Sequence, residues 1–321
     1  MRTLIAVLVA APWVLWAAVR TAGFPLGYPL VAVVAFTPYV ALSSFVPVVV
    51  ALALRVRGVA LVAAAAAVAL AVAVVPRGVA GPRPEAGGPR LVVMTFNAWV
   101  GQADAAAVLR VAREHDVDVL SLQEALPGFL GRVDADGRYP GRAGGPGTAL
   151  RSRFPLRDVR LAPNELGRAQ PEARLRVPGA PPVWIKAVHP WPPVDGASAP
   201  GWRRSLLRLP APDVRGDVAI MAGDFNATLD HAELRGLLGR GWVDAADAAG
   251  AGLAWTWPAA RRRALPITID HVLVDRRVRV ERVHVVGIPR SDHRAVIAEL
   301  RLPAAAPAGL SRPGRGSIRQ R

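Results

Sequence analysis

The sequence predicts an α/β domain, with sheet layers covered by helices, behind an all-α segment of about three transmembrane helices. The first observation is that the hydrophobic residues, 52% of the 321, are concentrated near the start. Long charge-free runs cover residues 3–19, 21–54 and 58–76. The second is that after residue 90 short apolar runs alternate with amphipathic stretches, and no charge-free run exceeds 13 residues. Strands with helices scattered between them are typical of layered α/β domains.

Each charge-free run is long enough for a membrane span. A bilayer core about 30 Å thick requires roughly 20 apolar helical residues. The first and third runs each supply one span, and the middle run supplies one over about residues 38–54, after Pro25 and Pro29. Buried helices of a soluble domain are the alternative, but three consecutive runs without an amphipathic period favour membrane spans. A cleaved signal peptide over residues 1–20 also stays open, and it would leave two spans.

The arginines in the short loops predict the orientation of these spans. With a cytoplasmic N-terminus, Arg55 and Arg57 lie inside, as the positive-inside rule requires, and Arg20 lies outside. Arg77, after the third span, argues for the opposite arrangement. We expect a multi-pass protein of the cell membrane, with the lipid bilayer as its partner and an extracellular C-terminal domain. No obligate protein partner is inferred.

Three further segments follow the membrane region, residues 1–76. Residues 77–90 are rich in proline and glycine and are expected to form a polar linker. Residues 91–302 are long enough for one sizeable core and are expected to form a single domain. Residues 303–321 have four arginines and no apolar period, which predicts a disordered basic tail.

Composition excludes several classes of chemistry. The chain has no cysteine, which rules out disulfides, cysteine-ligated zinc, iron–sulfur clusters and thiol catalysis. The formal charge of +16 is almost all arginine, because Lys186 is the only lysine. Residues 1–90 carry +6, the domain +6 and the tail +4. The charge is therefore spread over the chain and is weak evidence for a nucleic-acid partner.

The predicted domain begins with a strand over residues 91–96, a helix over 105–115 capped by Asp104, and a strand over 117–122. Further helices are predicted over residues 201–207 and 231–238. Further strands are predicted over residues 148–152, 173–177, 183–188, 218–222, 269–274, 278–286 and 295–300.

Polar side chains stand at the ends of six of these strands. Taken singly, each is explained by a turn, a helix cap or a solvated loop. Together they predict one shared polar mouth, because ligands bind at strand ends in such sheets. The residues are Asn97, Glu124, His189, Asp224 with Asn226, Asp270, and Asp292 with His293.

The ordered motifs resemble the endonuclease/exonuclease/phosphatase superfamily, the DNase I-like group that also holds abasic-site endonucleases, neutral sphingomyelinases and inositol polyphosphate 5-phosphatases. The resemblance covers residues 91–302, and it implies a four-layer α/β sandwich that hydrolyses phosphoesters with a divalent metal. The three spans resemble a membrane-anchored bacterial branch. The motifs are TFN, LQE, GTALRSRFPL, VHP, GDFN, IDH and SDHRAV, of which GDFN and SDH are the most specific.

The resemblance implies the metal ligands. Glu124 is the principal ligand, and Asn97 and Asp292 complete a shell of oxygen atoms. Carboxylate and amide oxygens suit Mg²⁺ or Mn²⁺. Asp224 orients and activates the attacking water, and Asn226 hydrogen-bonds to the phosphate or to a metal-bound water.

The resemblance also implies roles for the histidines. His189 and His293 contact the phosphate oxygens or act as acid and base. Asp270 holds one nitrogen of His293, which raises the pKa of His293 and selects its tautomer. Whether Asp224 or His293 takes the proton of the water stays open.

Some residues do not match the family pattern. Several nucleases of the superfamily have an additional Glu or Tyr between the LQE and VHP motifs. Glu165, Glu172 and Tyr139 lie in that stretch without a matching context and stay unassigned. The arginine cluster at residues 261–263 either grips a phosphate or a base, or belongs to a loop on the rim.

The sequence thus predicts a membrane-anchored, metal-dependent phosphoesterase. Nucleic acid or nucleotide is the first candidate substrate, a phospholipid headgroup the second and a small phosphomonoester the third. A non-catalytic, membrane-tethered binding protein with the same fold is the alternative function.

Overall fold

The computed structural model describes residues 1–260 and 264–305. It confirms the predicted class, because the described residues form two six-stranded sheets flanked by helices, behind an N-terminal helical segment. The predicted arginine cluster at 261–263 lies outside the described residues, and so does the predicted tail beyond residue 305.

The N-terminal segment contains two helices that are long and apolar enough to span a membrane, at its beginning and its end. Between them, two helical stretches meet at Ser44 with a bend of 47°, and they supply a third span if the bent pair is one crossing. Pro47 explains the break, because its nitrogen has no hydrogen for the bond to the preceding turn. The helices are α1 (Arg2–Ala22), α2 (Leu30–Val33), α3 (Thr37–Ser43), α4 (Phe45–Ala53) and α5 (Arg57–Val74).

These helices pack through small side chains. Ala6 of α1 meets Ala51 of α4 and Ala60 of α5 in one buried cluster. Small residues let helix backbones approach closely, which is the main source of packing energy where the surroundings are as apolar as the helices. Two tryptophan side chains of α1 also donate hydrogen bonds to α3, to Ser43 and Thr37, at 3.1 and 3.0 Å.

The first sheet has the strand order β11-β12-β1-β2-β4-β3, in which β1 and β2 run parallel and the other neighbours antiparallel. Two helices, α6 and α7, pack on its outer face. The elements are β1 (Arg90–Asn97), α6 (Ala105–Glu114), β2 (Val119–Ala125), α7 (Pro127–Ala135), β3 (Gly141–Gly144), β4 (Gly147–Ser152), β11 (Arg279–Gly287) and β12 (Arg294–Arg301).

The second sheet has the order β5-β6-β7-β8-β10-β9, with β7 and β8 parallel. Helices α8 and α9 cover its outer face, and apolar side chains of both sheets form the core between them. The elements are β5 (Leu156–Pro163), β6 (Ala169–Leu175), β7 (Val183–Val188), α8 (Ser198–Arg208), β8 (Val218–Asp224), α9 (Ala232–Gly239), β9 (Trp242–Asp244), α10 (Ala245–Ala248) and β10 (Asp270–Asp275).

All predicted strands and helices of the domain are confirmed to within a few residues, including the Asp104 side chain that caps α6. Strands β3, β5 and β9 were not predicted, and each lies at the edge of a sheet. An edge strand has one neighbour and more solvent, so its sequence need not have the apolar run of a central strand. The exposed, charged β5 is the clearest case.

Buried polar contacts join the α/β domain to the N-terminal helical segment. Asp230, between β8 and α9, accepts hydrogen bonds from Arg20 near the end of α1 and from Arg77 just after α5, at 2.6–2.8 Å. The Nε2 atom of His231 lies 2.8 Å from the carbonyl oxygen of Val31. The α/β domain therefore packs on the end of the helical segment where α1 and α5 both finish.

Candidate active site

The predicted site residues meet at one edge of the sandwich. Asn97 and Glu124 lie at the carboxyl ends of the parallel strands β1 and β2, and His189 and Asp224 at those of β7 and β8. Asp270 begins β10, which runs antiparallel to β8, so it pairs directly with Asp224. The carboxyl ends of parallel strands and the amino ends of their antiparallel neighbours lie at the same edge of a sheet. The five side chains therefore lie close together at that edge.

Gly223 allows β7 and β8 to approach at this edge. A Cβ atom on Gly223 would lie 1.9 Å from the carbonyl oxygen of Val188. Any other residue would push the two strands apart and separate His189 from Asp224. Glu124 and Asn226 adopt left-handed backbone conformations, with φ of 50° and 49°. Such strained positions cluster at functional sites, and nothing in the local sequence indicated them.

A buried triad of Asp224, Asp270 and His293 forms the centre of the site. The Nδ1 atom of His293 lies 2.9 Å from Oδ2 of Asp270, and its Nε2 atom lies 3.8 Å from Oδ2 of Asp224. One ligand atom from each of the three residues lies within 4.8 Å of the others, which is close enough to hold a metal ion. The predicted contact between Asp270 and His293 is present.

Burial and neighbouring charges shift the pKa values in this cluster. Burial opposes the charged imidazolium, but the carboxylates of Asp270 and Asp224 outweigh it and raise the pKa of His293 to about 10. Burial, with the charge of Asp270, raises the pKa of Asp224 to about 7. Burial lowers the pKa of His189 to about 4, against the charge of Glu124. At neutral pH, His293 is therefore protonated and His189 is neutral.

Asn97 joins the carboxylates of the two sheets. Its Nδ2 atom donates to Oε1 of Glu124 at 3.0 Å and to Oδ2 of Asp224 at 3.1 Å. The other oxygen of Glu124 accepts from the backbone N–H of Val100 at 2.9 Å. The Nε2 atom of His189 lies 3.9 Å from Oε1 of Glu124. These contacts hold both carboxylates at the mouth of the cleft.

Asp292 and Asn226 complete the predicted set. Oδ2 of Asp292 accepts from the indole N–H of Trp257 at 3.1 Å, while Oδ1 is buried with no partner in the described part of the chain. A buried carboxylate oxygen without a partner is costly and would be satisfied by a cation. Carboxylate oxygens from Glu124 and Asp292 therefore fit a hard ion such as Mg²⁺ or Mn²⁺. Asn97 turns its amide nitrogen towards Glu124 and Asp224, and its Oδ1 accepts from the backbone N–H of Trp99 at 2.9 Å. Asn226 donates from Nδ2 to the carbonyl oxygen of Pro190 at 3.1 Å.

The three residues left unassigned in the sequence analysis form contacts outside the predicted site. Tyr139 is buried and donates to the carbonyl oxygen of Val117 at 3.1 Å, and burial raises its pKa to about 12. Glu172 pairs with Lys186 at 3.1 Å. Glu165 contacts the side chain of Ser205 and accepts from the backbone N–H of Trp191. None of the three lines the cleft that holds the predicted site residues.

Two residues that the sequence indicates as neighbours of the predicted set shape the site. Ser291 accepts from the backbone N–H of His293 at 3.0 Å and donates to the carbonyl oxygen of Asn97 at 2.8 Å, so it links β1 to the SDH loop. His271 bridges Asp244 at 2.6 Å and the carbonyl oxygen of Ala227 at 2.8 Å, behind the site. Their positions next to Asp292 and Asp270 were the only signal.

The comparisons identify the family. The model of the Endonuclease/Exonuclease/phosphatase family matches residues 94–293. The chain belongs to this family. A search of curated proteins finds no match.

Solved structures of family members have the same fold. An endonuclease/exonuclease/phosphatase from Beutenbergia cavernae is 20% identical, with a TM-score of 0.52, and the match covers 67% of this chain and 72% of that one. A family protein from Bacteroides thetaiotaomicron is 17% identical, with a TM-score of 0.52, over 67% and 99%. D. rerio TDP2 complexed with a single-strand DNA product is 15% identical, with a TM-score of 0.54, over 66% and 98%.

The family domain does not form the whole cleft. The site residues lie in a cleft of about 750 Å³, and part of its wall comes from the N-terminal segment, outside the residues that match the family. Across from it the cleft is lined by exposed apolar residues such as Trp191 and Val194. The wall residues from the N-terminal segment are Tyr28, Ala32, Ala35 and Phe36.

Proposed function

We propose that this protein is a membrane-anchored phosphoesterase that requires a divalent metal ion and hydrolyses its substrate by attack of water at phosphorus. One observation carries the proposal. The acidic, amide and imidazole side chains that the chemistry needs converge in one cleft of a domain that belongs to the Endonuclease/Exonuclease/phosphatase family. Within it, the described contacts join Asn97 to Glu124 and Asp224, and Asp270 to His293.

Glu124, Asn97 and Asp292 would hold the metal, Mg²⁺ or Mn²⁺. The unpartnered oxygen of Asp292 and the carboxylate of Glu124 support this assignment, and Asn97 would offer its amide oxygen in place of the bond to Trp99. When bound, the ion supplies positive charge that polarises the phosphoryl group and stabilises the leaving oxygen.

The side chains of the protein accept the proton of the water and bind the phosphate. Asp224, whose Oδ2 is held by Asn97, orients the water and accepts its proton. His293 has a carboxylate on either side, so it retains its own proton and donates from Nε2 to a phosphate oxygen. Asp270 holds Nδ1 of His293 and thereby selects the orientation of the ring. His189 and Asn226 complete the polar lining that binds the phosphate.

We also propose a multi-pass membrane protein with an extracellular catalytic domain. Three crossings through α1, the bent pair and α5 put the domain on the side opposite residue 1. The contacts of Arg20 and Arg77 with Asp230 support the same arrangement, because both arginines lie at helix ends that meet the domain. Arg55 and Arg57 lie at the other end of the bundle, in the turn before α5 and at its start, as the positive-inside rule favours.

The test is hydrolysis of bis(p-nitrophenyl) phosphate by the full chain in detergent micelles. We expect activity that EDTA abolishes and Mg²⁺ or Mn²⁺ restores, and Asp224→Asn lowers kcat by about 10²–10⁴, the usual size of a general-base contribution. Asp158→Asn, at an exposed position on β5, keeps the wild-type rate. Wild-type protein that binds Mn²⁺ but hydrolyses neither phosphodiesters nor phosphomonoesters would instead support the non-catalytic binding protein.

A further inference from the structure

The wall that the N-terminal segment contributes to the catalytic cleft points to the class of substrate. We propose that the substrate is a phosphoester lipid resident in the bilayer, with its phosphate at the catalytic triad and its hydrocarbon chain against the wall made by Tyr28, Ala32, Ala35 and Phe36. This inference rests on the proposed function. The wall is apolar and belongs to the segment that holds the chain in the membrane. A hydrocarbon chain can therefore lie on it without leaving apolar surroundings.

A second cavity extends this wall. It has a volume of about 540 Å³ and lies between the membrane helices and the catalytic domain. Ala35 and Ile267 line both this cavity and the catalytic cleft, so the two spaces adjoin. Other lining residues, such as Leu42 of α3 and Ala71 of α5, belong to the membrane helices. The second cavity is the place for the hydrocarbon chain.

The charges around the cleft favour a single phosphate over a polynucleotide. Among the described residues that line the cleft, Arg168 is the only arginine or lysine. Its guanidinium lies 5.0 Å from the ring centre of Trp191, on the rim. A groove that follows a nucleic-acid backbone contacts several successive phosphates with basic side chains. Among the described lining residues, Arg168 and the proton-bearing His293, with the bound metal, are suited to one phosphate.

Specific contacts hold the wall against the domain. Tyr39, just after it, donates to the carbonyl oxygen of Pro266 at 2.7 Å. His231 contacts the carbonyl oxygen of Val31, within the wall segment, and Arg203 donates to that of Leu26, before it. The N-terminal segment is thus held to the domain on both sides of the wall and within it.

The experiment compares two phosphodiesters that share one leaving group, methyl p-nitrophenyl phosphate and dodecyl p-nitrophenyl phosphate. In both, the water oxygen bonds to phosphorus, the bond from phosphorus to the p-nitrophenyl oxygen breaks, and the products are the alkyl phosphate and p-nitrophenolate, with one water proton passing to Asp224 and the other staying on the alkyl phosphate. The full chain is assayed with Mg²⁺ in the same detergent micelles. We expect a kcat/KM at least tenfold higher for the dodecyl ester.

Two variants of neighbouring residues locate the effect. Ala32→Trp fills the cleft beside the wall and lowers kcat/KM for the dodecyl ester at least tenfold, while the methyl ester stays within twofold. Val33→Trp, on the adjacent residue outside the cleft, changes neither rate. Val194→Asp, at a rim position that is 58% exposed, produces the same selective loss without a buried substitution.

Three outcomes would overturn the inference. They are equal kcat/KM for the two esters, equal losses on both esters in Ala32→Trp and Val194→Asp, and faster cleavage of a thymidine oligonucleotide than of the dodecyl ester. Hydrolysis of the methyl ester with no preference for the dodecyl ester refutes the lipid substrate alone. Absence of metal-dependent hydrolysis of either ester refutes the proposed function itself.

Discussion

Asp230 links the family domain to the N-terminal helical segment, and its neutralisation should release the domain. Its carboxylate is buried and accepts from Arg20 Nε at 2.7 Å and from Arg77 Nη1 and Nη2 at 2.8 and 2.6 Å. Asp230→Asn keeps the shape of the side chain but removes the charge and one of the acceptor oxygens. Both arginine side chains, only 11% and 7% exposed, then lack an anionic partner.

The size of the effect follows from the burial of these three charges. Removal of one partner from a buried ion pair costs about 3–5 kcal/mol, because the remaining charge stays out of water. Arg235 lies close enough to feel the same charges, since burial and then Arg20 lower its pKa. At about 1.4 kcal/mol per factor of ten, the undocked population should rise by about two to three and a half powers of ten.

Trypsin cleavage after Arg77 measures that population. Arg77 is 6% exposed, so cleavage requires the domain to undock, and the cleavage rate follows the open population when closing is fast. We expect Asp230→Asn to be cut after Arg77 about two to three and a half powers of ten faster. Asp134→Asn, which removes an ion pair with Arg151 inside the domain, serves as the control and stays near the wild-type rate. An unchanged rate in Asp230→Asn would refute the docking role.

Three further predictions concern the site and the interface. Gly223→Ala puts a methyl group against the carbonyl oxygen of Val188, so both the melting temperature and the hydrolysis rate should fall. Asp292→Ala should raise the Kd for Mn²⁺, measured by calorimetry, at least tenfold; an unchanged Kd would exclude Asp292 as a ligand. Burial lowers the pKa of His231 below its ordinary 6.5, so the unfolded chain binds that proton more readily and stability is lost as pH falls through 6.5. His231→Gln should therefore show a smaller drop in melting temperature between pH 7.5 and 5.5 than the wild type.

The central strands and the polar residues at their ends were predictable because both follow local rules. A strand buried on both faces, such as β8, must be an apolar run, and an Asp at its end interrupts that run visibly. Edge strands such as β5 obey no such rule, which is why the sequence did not indicate them. The pairing of Asp270 with His293 was available only through the resemblance to the family, since 22 residues separate the two in the chain.

The sequence by itself determined the polar strand ends and the apolar helices. Residue types such as Glu124 and Asp224 at strand ends indicate a ligand-binding mouth, the resemblance to the family implies hydrolysis there, and long uncharged runs indicate helices suited to a membrane. Only the tertiary structure decided how the two are joined. Contacts such as those of Arg77 with Asp230 and His231 with Val31 connect residues 153 and 200 positions apart. Local sequence periodicity reports only residues that are close along the chain, so it does not reveal such distant partners. The apolar wall beside the triad therefore became visible only in the tertiary structure.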